Sequence, residues 1–88
     1  MKKAMDEFTL AFISRTREAR TAANLTQDEV ARVLGIEQPT YKWYETRTPL
    51  PHRYVAPFCT LTRVSSDWLF TGRRPPRNGP SSKSSDAA

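Results

Sequence analysis

The stretch from Leu25 to Glu45 constrains this chain more than any other, because helix-start and helix-stop chemistry occurs there twice in twenty-one residues. Thr26 followed three positions later by Glu29 is a capping box, and Asp28 adds negative charge at the positive end of the same helix. Leu25 before the cap and Val30 after it are spaced for a hydrophobic staple. The helix should run to about Leu34, where Gly35 supplies a residue for which positive φ is cheap. Ile36 and Tyr41 repeat the staple spacing around the next helix start, and Pro39 falls in its first turn, where a missing N–H costs nothing. Two short helices and a tight turn follow. Ala31 must be small if the second crosses over the first, and Val30, Leu34, Ile36, Tyr41 and Tyr44 then point inward as one apolar wedge.

The flanking sequence completes an all-α domain of five helices. Asp6 to about Ala23 repeats Phe8, Phe12, Ala19 and Ala23 at helical spacing, with Ile13 alongside, and Asn24 suits the left-handed residue that ends a helix. Thr46 to Leu50 reads as a loop, with Pro49 and Pro51 stopping the third helix. A fourth helix is expected over Arg53 to Arg63, with Tyr54, Val55, Phe58 and Cys59 as apolar positions. Pro57 then requires a start near Tyr54 or a kink. Ser65 or Ser66 caps a short fifth helix carrying Trp68, Leu69 and Phe70, closed by Gly72. From Arg73 onward prolines and serines replace large apolar residues, so the expected division is a domain over 1–72 and a disordered basic tail over 73–88.

Eighty-eight residues hold one modest core. The net charge of +5 points to nucleic acid, yet residues 1–72 hold ten Lys/Arg against eight Asp/Glu, so most of the excess sits in the tail. Charge alone does not decide the function. The single Cys59 excludes an internal disulfide and a Cys-rich zinc site, and His52 has no companion to form a metal site. There is no phosphate-cradling glycine loop, and no catalytic residue, cofactor or metal is expected. Without a signal peptide or an apolar run near the ~18 residues of a membrane span, the chain reads as soluble and cytoplasmic.

Leu25-Thr-Gln-Asp-Glu-Val-Ala-Arg-Val-Leu-Gly-Ile36, followed by Gln38-Pro-Thr-Tyr-Lys-Trp-Tyr-Glu45, resembles the Cro/C1-type (XRE family) helix-turn-helix domain. Pro51 and Val64-Ser-Ser-Asp-Trp-Leu-Phe-Thr-Gly72 resemble its fourth and fifth helices, so the likeness covers roughly residues 8–72. The resemblance implies a phage-repressor-like fold whose recognition helix spans about 38–46 and enters a DNA major groove. Carried over by position, it implies that Gln27 meets a phosphate. It also places Gln38, Pro39, Thr40, Lys42 and Trp43 on the recognition helix, with Arg47 and Arg53 near the loop that follows, where family members contact the DNA backbone. Arg20 and Glu45 match an internal ion pair tying the first helix to the third.

Two functions are weighed. The first is sequence-specific binding of double-stranded DNA, as a homodimer on a two-fold related operator, to repress transcription. The second uses the same scaffold as an antiactivator that captures another transcription factor. Trp43, Glu37 and the nearly balanced charge of the folded part favour it, and fold alone does not exclude it. Trp43, Leu69 and Phe70 are the candidate protein-partner residues, with Phe8, Leu10 and Phe12 as a further dimer surface.

Overall fold

The computed structural model describes residues 6–73, and over that span the chain is all helical, with no strand. Five helices follow one another: α1 (Glu7–Ala22), α2 (Gln27–Leu34), α3 (Gln38–Thr46), α4 (His52–Thr62) and α5 (Ser66–Thr71). The tail expected over 73–88 lies, from residue 74 on, outside the described residues, as do residues 1–5.

Local chemistry sets most of the helix ends. Asp6, Thr26 and Ser65 stand in extended backbone and accept from the N–H groups of Thr9, Glu29 and Trp68 at 2.8, 3.0 and 3.0 Å. The capping box closes when the Thr26 N–H donates to Glu29 Oε1 at 2.7 Å. At the other end of α2, Ile36 N–H reaches Ala31 O and Gly35 N–H reaches Arg32 O, a Schellman closure with Gly35 at φ +74°. Asn24, at φ +60°, ends α1 in the same way, through Leu25 N–H to Arg20 O and Asn24 N–H to Thr21 O. Arg47 after α3 has φ −129°, so that turn needs no glycine.

α4 departs from expectation. It begins at His52 and runs through Pro57 as one helix. Pro57 deprives the Arg53 carbonyl of its donor, but both residues are exposed, so water can take the place of the missing N–H. Val55, Phe58 and Cys59 are buried on the opposite face and hold the helix against the core on both sides of the proline. Arg63 closes α4 in the left-handed region at φ +62°, a conformation that costs a non-glycine residue roughly 1–2 kcal/mol.

Tyr41, Phe58, Leu69 and Val30 are fully buried and form the centre, with the Tyr41 and Phe58 rings tilted at 6.5 Å between centroids. At ~25 cal/mol per Å² of apolar surface, each such side chain contributes about 1.5–3 kcal/mol on burial. Ala31 is buried beneath α3, as the crossing requires. On α1 the inward face is Phe12, Ile13, Thr16 and Ala19. Phe8, which shares the spacing, is exposed among the described residues. Thr16 is tolerated inside because its hydroxyl donates to the Phe12 carbonyl at 2.9 Å. Leu69 is core rather than a partner-facing residue, since α5 packs that side onto α1 and α4. Phe12 is likewise buried, and Phe70 stacks on it at 5.0 Å with its own outer face open.

Candidate nucleic-acid interface

α3 is built so that one side is bonded inward and the other is left open. The i, i+4 pair Tyr41 and Glu45 lies on the inner side and both residues are buried. Glu45 is a buried carboxylate with four donors. Arg20 approaches it in a fork, Nε to Oε2 at 2.6 Å and Nη2 to Oε1 at 3.1 Å. Gln27 Nε2 donates to Oε1 at 3.1 Å, and the Tyr41 hydroxyl donates to Oε2. The remaining arm of Arg20, Nη1, donates to the Leu25 carbonyl at 2.8 Å, which ties the α1–α2 connection into the same cluster.

The electrostatics follow from that geometry. Burial pushes the Glu45 carboxyl up, but the bonds from Arg20, Tyr41 and Gln27 together outweigh it and hold the group below its ordinary value. Arg20 is raised by its bond to Glu45, and Tyr41 is raised far above a free phenol by burial and by the neighbouring carboxylate. The expected ion pair between Arg20 and Glu45 is thus present, and it is the middle of a larger network.

That network reaches the front of α3 through one further bond, Gln38 Nε2 to Gln27 Oε1 at 2.7 Å. The two glutamines read from the sequence as separate contacts are therefore linked, and both are half-buried. Residues 11 and 18 positions apart meet here, a pairing that no local spacing signals.

The open side of α3 carries Pro39, Lys42, Trp43, Thr46 and Arg47, which line a hollow of about 430 Å³. Trp43 is 41% exposed, and the Arg47 guanidinium lies over its ring at 4.0 Å, within cation–π range. Thr46 was not among the expected residues. Its place could have been found by extending Pro39, Lys42 and Trp43 by one turn. Its hydroxyl donates to the Lys42 carbonyl at 2.9 Å. Thr40 is half-buried and does not line the hollow. Arg53 stands apart on α4, its guanidinium 5.0 Å over the Tyr54 ring, and Tyr54 packs on Tyr44 of α3 at 6.3 Å. Glu37 heads α3 with its carbonyl accepting from the Tyr41 N–H at 3.1 Å, but its exposed side chain makes no capping bond.

Elsewhere the chemistry is quiet. Cys59 is buried, and burial pushes its thiol up, away from the reactive thiolate. Among the described residues no three His, Cys, Asp or Glu side chains gather as a metal site, and no helix is long and apolar enough to cross a membrane.

A family model described as a helix-turn-helix domain matches residues 14–69, well over half of the chain. That span runs from the middle of α1 to α5 and includes every residue of the Glu45 network and of the open face of α3. No curated protein matches the chain.

Proposed function

The chain belongs to the helix-turn-helix domain family, associated with DNA-binding, XRE-like regulators, and from that premise we propose that it represses transcription by sequence-specific binding of duplex DNA. The observation that carries the reading is the two-sidedness of α3. Tyr41 and Glu45 anchor it from behind, while Lys42, Trp43, Thr46 and Arg47 stand exposed along one side. A short rod held in this way can be laid in a major groove without losing order on binding.

Gln38 and Lys42 are the proposed base readers. Gln38 gives one amide hydrogen to Gln27 and keeps its carbonyl and second hydrogen, the pair that matches adenine N6 and N7. The bond to Gln27 also limits the rotamers that must be frozen on binding. Lys42 is free to reach guanine or a phosphate, and Gln27, at the N-terminus of α2, lies where a phosphate is favoured. Arg47 and Arg53 supply backbone contacts. One recognition helix reads few base pairs, so residues 1–72 are proposed to act as a cytoplasmic homodimer on half-sites about 34 Å apart. The exposed rings of Phe8 and Phe70 are the proposed dimer surface, and the basic segment 73–88 is an appended tail. An operator so occupied is closed to polymerase, hence repression.

The test is a titration of the purified chain against its own upstream region at two salt concentrations. A specific complex that weakens as salt rises supports the reading. A chain that binds no duplex at micromolar concentration overturns it.

One observation favours a second reading. Tryptophan and arginine are among the residues most enriched at the hot spots of protein interfaces, and here an exposed tryptophan with an arginine over its ring occupies the open face of α3. An antiactivator that captures another transcription factor through Trp43 would use that face without DNA. Co-purification with a second regulator, lost in Trp43→Ala, would support it in place of the first.

A further inference from the structure

We infer that the hollow on α3 takes the C5-methyl group of a thymine, and that Pro39 and Trp43 are the residues distinguishing thymine from cytosine; this rests on the duplex-DNA reading above. Pro39 and Trp43 are one helical turn apart on the same open side, and both line the hollow. Pro39 has no N–H and no polar side-chain atom. The Arg47 guanidinium lies over one part of the Trp43 ring at 4.0 Å, a contact that favours the ring's place in the lining before anything binds. Thr46, the remaining uncharged group of the lining, has its hydroxyl proton committed to the Lys42 carbonyl, so it adds its methyl group and an acceptor oxygen but no donor. Pro39 and Trp43 therefore offer carbon, while the cations Lys42 and Arg47 flank them as a rim.

That pattern matches one feature of the duplex. The thymine methyl is the one apolar group that projects from the base edges into the major groove. At the position of that methyl, cytosine presents only a C5–H, which leaves the apolar surface of Pro39 and Trp43 uncovered, whereas the thymine methyl buries it. The cationic rim suits the phosphates on either side of the groove. The same rim argues against an apolar protein segment as the occupant, since Lys42 and Arg47 would meet no counter-charge.

The experiment uses the full chain. Duplexes retained from a random pool define the bound site, and each thymine in it is then replaced singly by deoxyuridine, which removes the methyl and leaves the pairing edge intact. The expected result is one thymine per half-site whose replacement weakens binding about threefold to fourfold, the factor supplied by burying a single methyl group. Trp43→Ala should bind the thymine and uracil sites equally, with unchanged helical circular dichroism. At the same position, 5-methylcytosine should bind better than cytosine. A wild-type chain that binds its site but is indifferent to uracil at every thymine overturns the inference and leaves the DNA reading standing. A Trp43→Ala chain that keeps the full uracil penalty overturns the assignment to this hollow. A pool from which no duplex is enriched overturns both.

Discussion

Arg20 and Glu45, twenty-five positions apart in sequence, form a two-point contact in which Nε lies 2.6 Å from Oε2 and Nη2 lies 3.1 Å from Oε1. The carboxylate side chain is 1% exposed and the guanidinium 14%, so water screens the pair little. This contact fixes α3 against α1, and through Gln27 it sets the position of Gln38.

Removing one partner should therefore be far worse than removing both. Glu45→Leu leaves a mostly buried guanidinium without its counter-charge and is expected to cost about 3 kcal/mol, with Arg20→Met as the second single variant. The double variant Arg20→Met with Glu45→Leu should recover much of that loss. Urea unfolding of the four proteins in the cycle gives the coupling, expected at roughly 1–3 kcal/mol. Additive losses would show that the pair does not act as a unit.

Acid should release the same restraint. Glu45 has its folded pKa below the ordinary 4.5, so its contribution is complete above that value and disappears as pH falls through the lower folded value. The urea midpoint is expected to be level from about pH 7 to 5 and to drop below about 4.5, in the ordinary carboxylate range. In the double variant the drop should be shallower. A midpoint that does not respond to acid in the wild type would rule out the depressed carboxylate.

Gly35 isolates backbone from packing. A Cβ at this position would meet nothing within 4 Å, so only the positive φ of +74° opposes a side chain. Gly35→Ala should cost about 1–2 kcal/mol, and Gly35→Asn clearly less, since asparagine tolerates this region. Thermal melts of the two variants check the order. A β-branched Gly35→Val should be the worst of the three.

DNA binding should divide the open face by role. Lys42→Ala is expected to lower affinity on all sequences and reduce the salt slope by about 1 if it meets a phosphate. Gln38→Ala should instead relax discrimination at one base pair and cost about 1–3 kcal/mol on the specific site. Lys42 is exposed, so its variant should melt as wild type does, while Gln38→Ala should lose only about 0.5–1.5 kcal/mol with its bond to Gln27. Fluorescence anisotropy on specific and scrambled duplexes separates the two effects. Equal affinity of Gln38→Ala and wild type on the specific site would remove Gln38 from the readers.

Partner-surface variants test where copies meet. Leu69→Ala should destabilise by about 2–5 kcal/mol because it empties a fully buried position. Phe70, 37% exposed and stacked on Phe12, should lose self-association with less damage to the fold when changed to Ser. Sedimentation of the Phe70→Ser protein checks this, and an unchanged association state would move the dimer surface elsewhere.

What the sequence determined by itself was the punctuation of the helices. The Thr26–Glu29 box, the Asn24 and Gly35 turns and the Ser65 cap depend on atoms within a few residues of one another, so spacing alone encodes them. The wedge of Val30, Ile36 and Tyr41 was legible for the same reason, because helical periodicity assigns a face before any partner is known. Tertiary structure decided the rest. Whether Phe8 or Leu69 is covered depends on where other helices end, and α4 can pass through Pro57 because its bonding defect falls on the wet side. Arg63 takes a left-handed turn that nothing in its own chemistry invites. The line from Gln38 through Gln27 to Glu45 joins long side chains on different helices, each with several possible partners. Only the distance set by packing α3 across α2 and α1 selects among them.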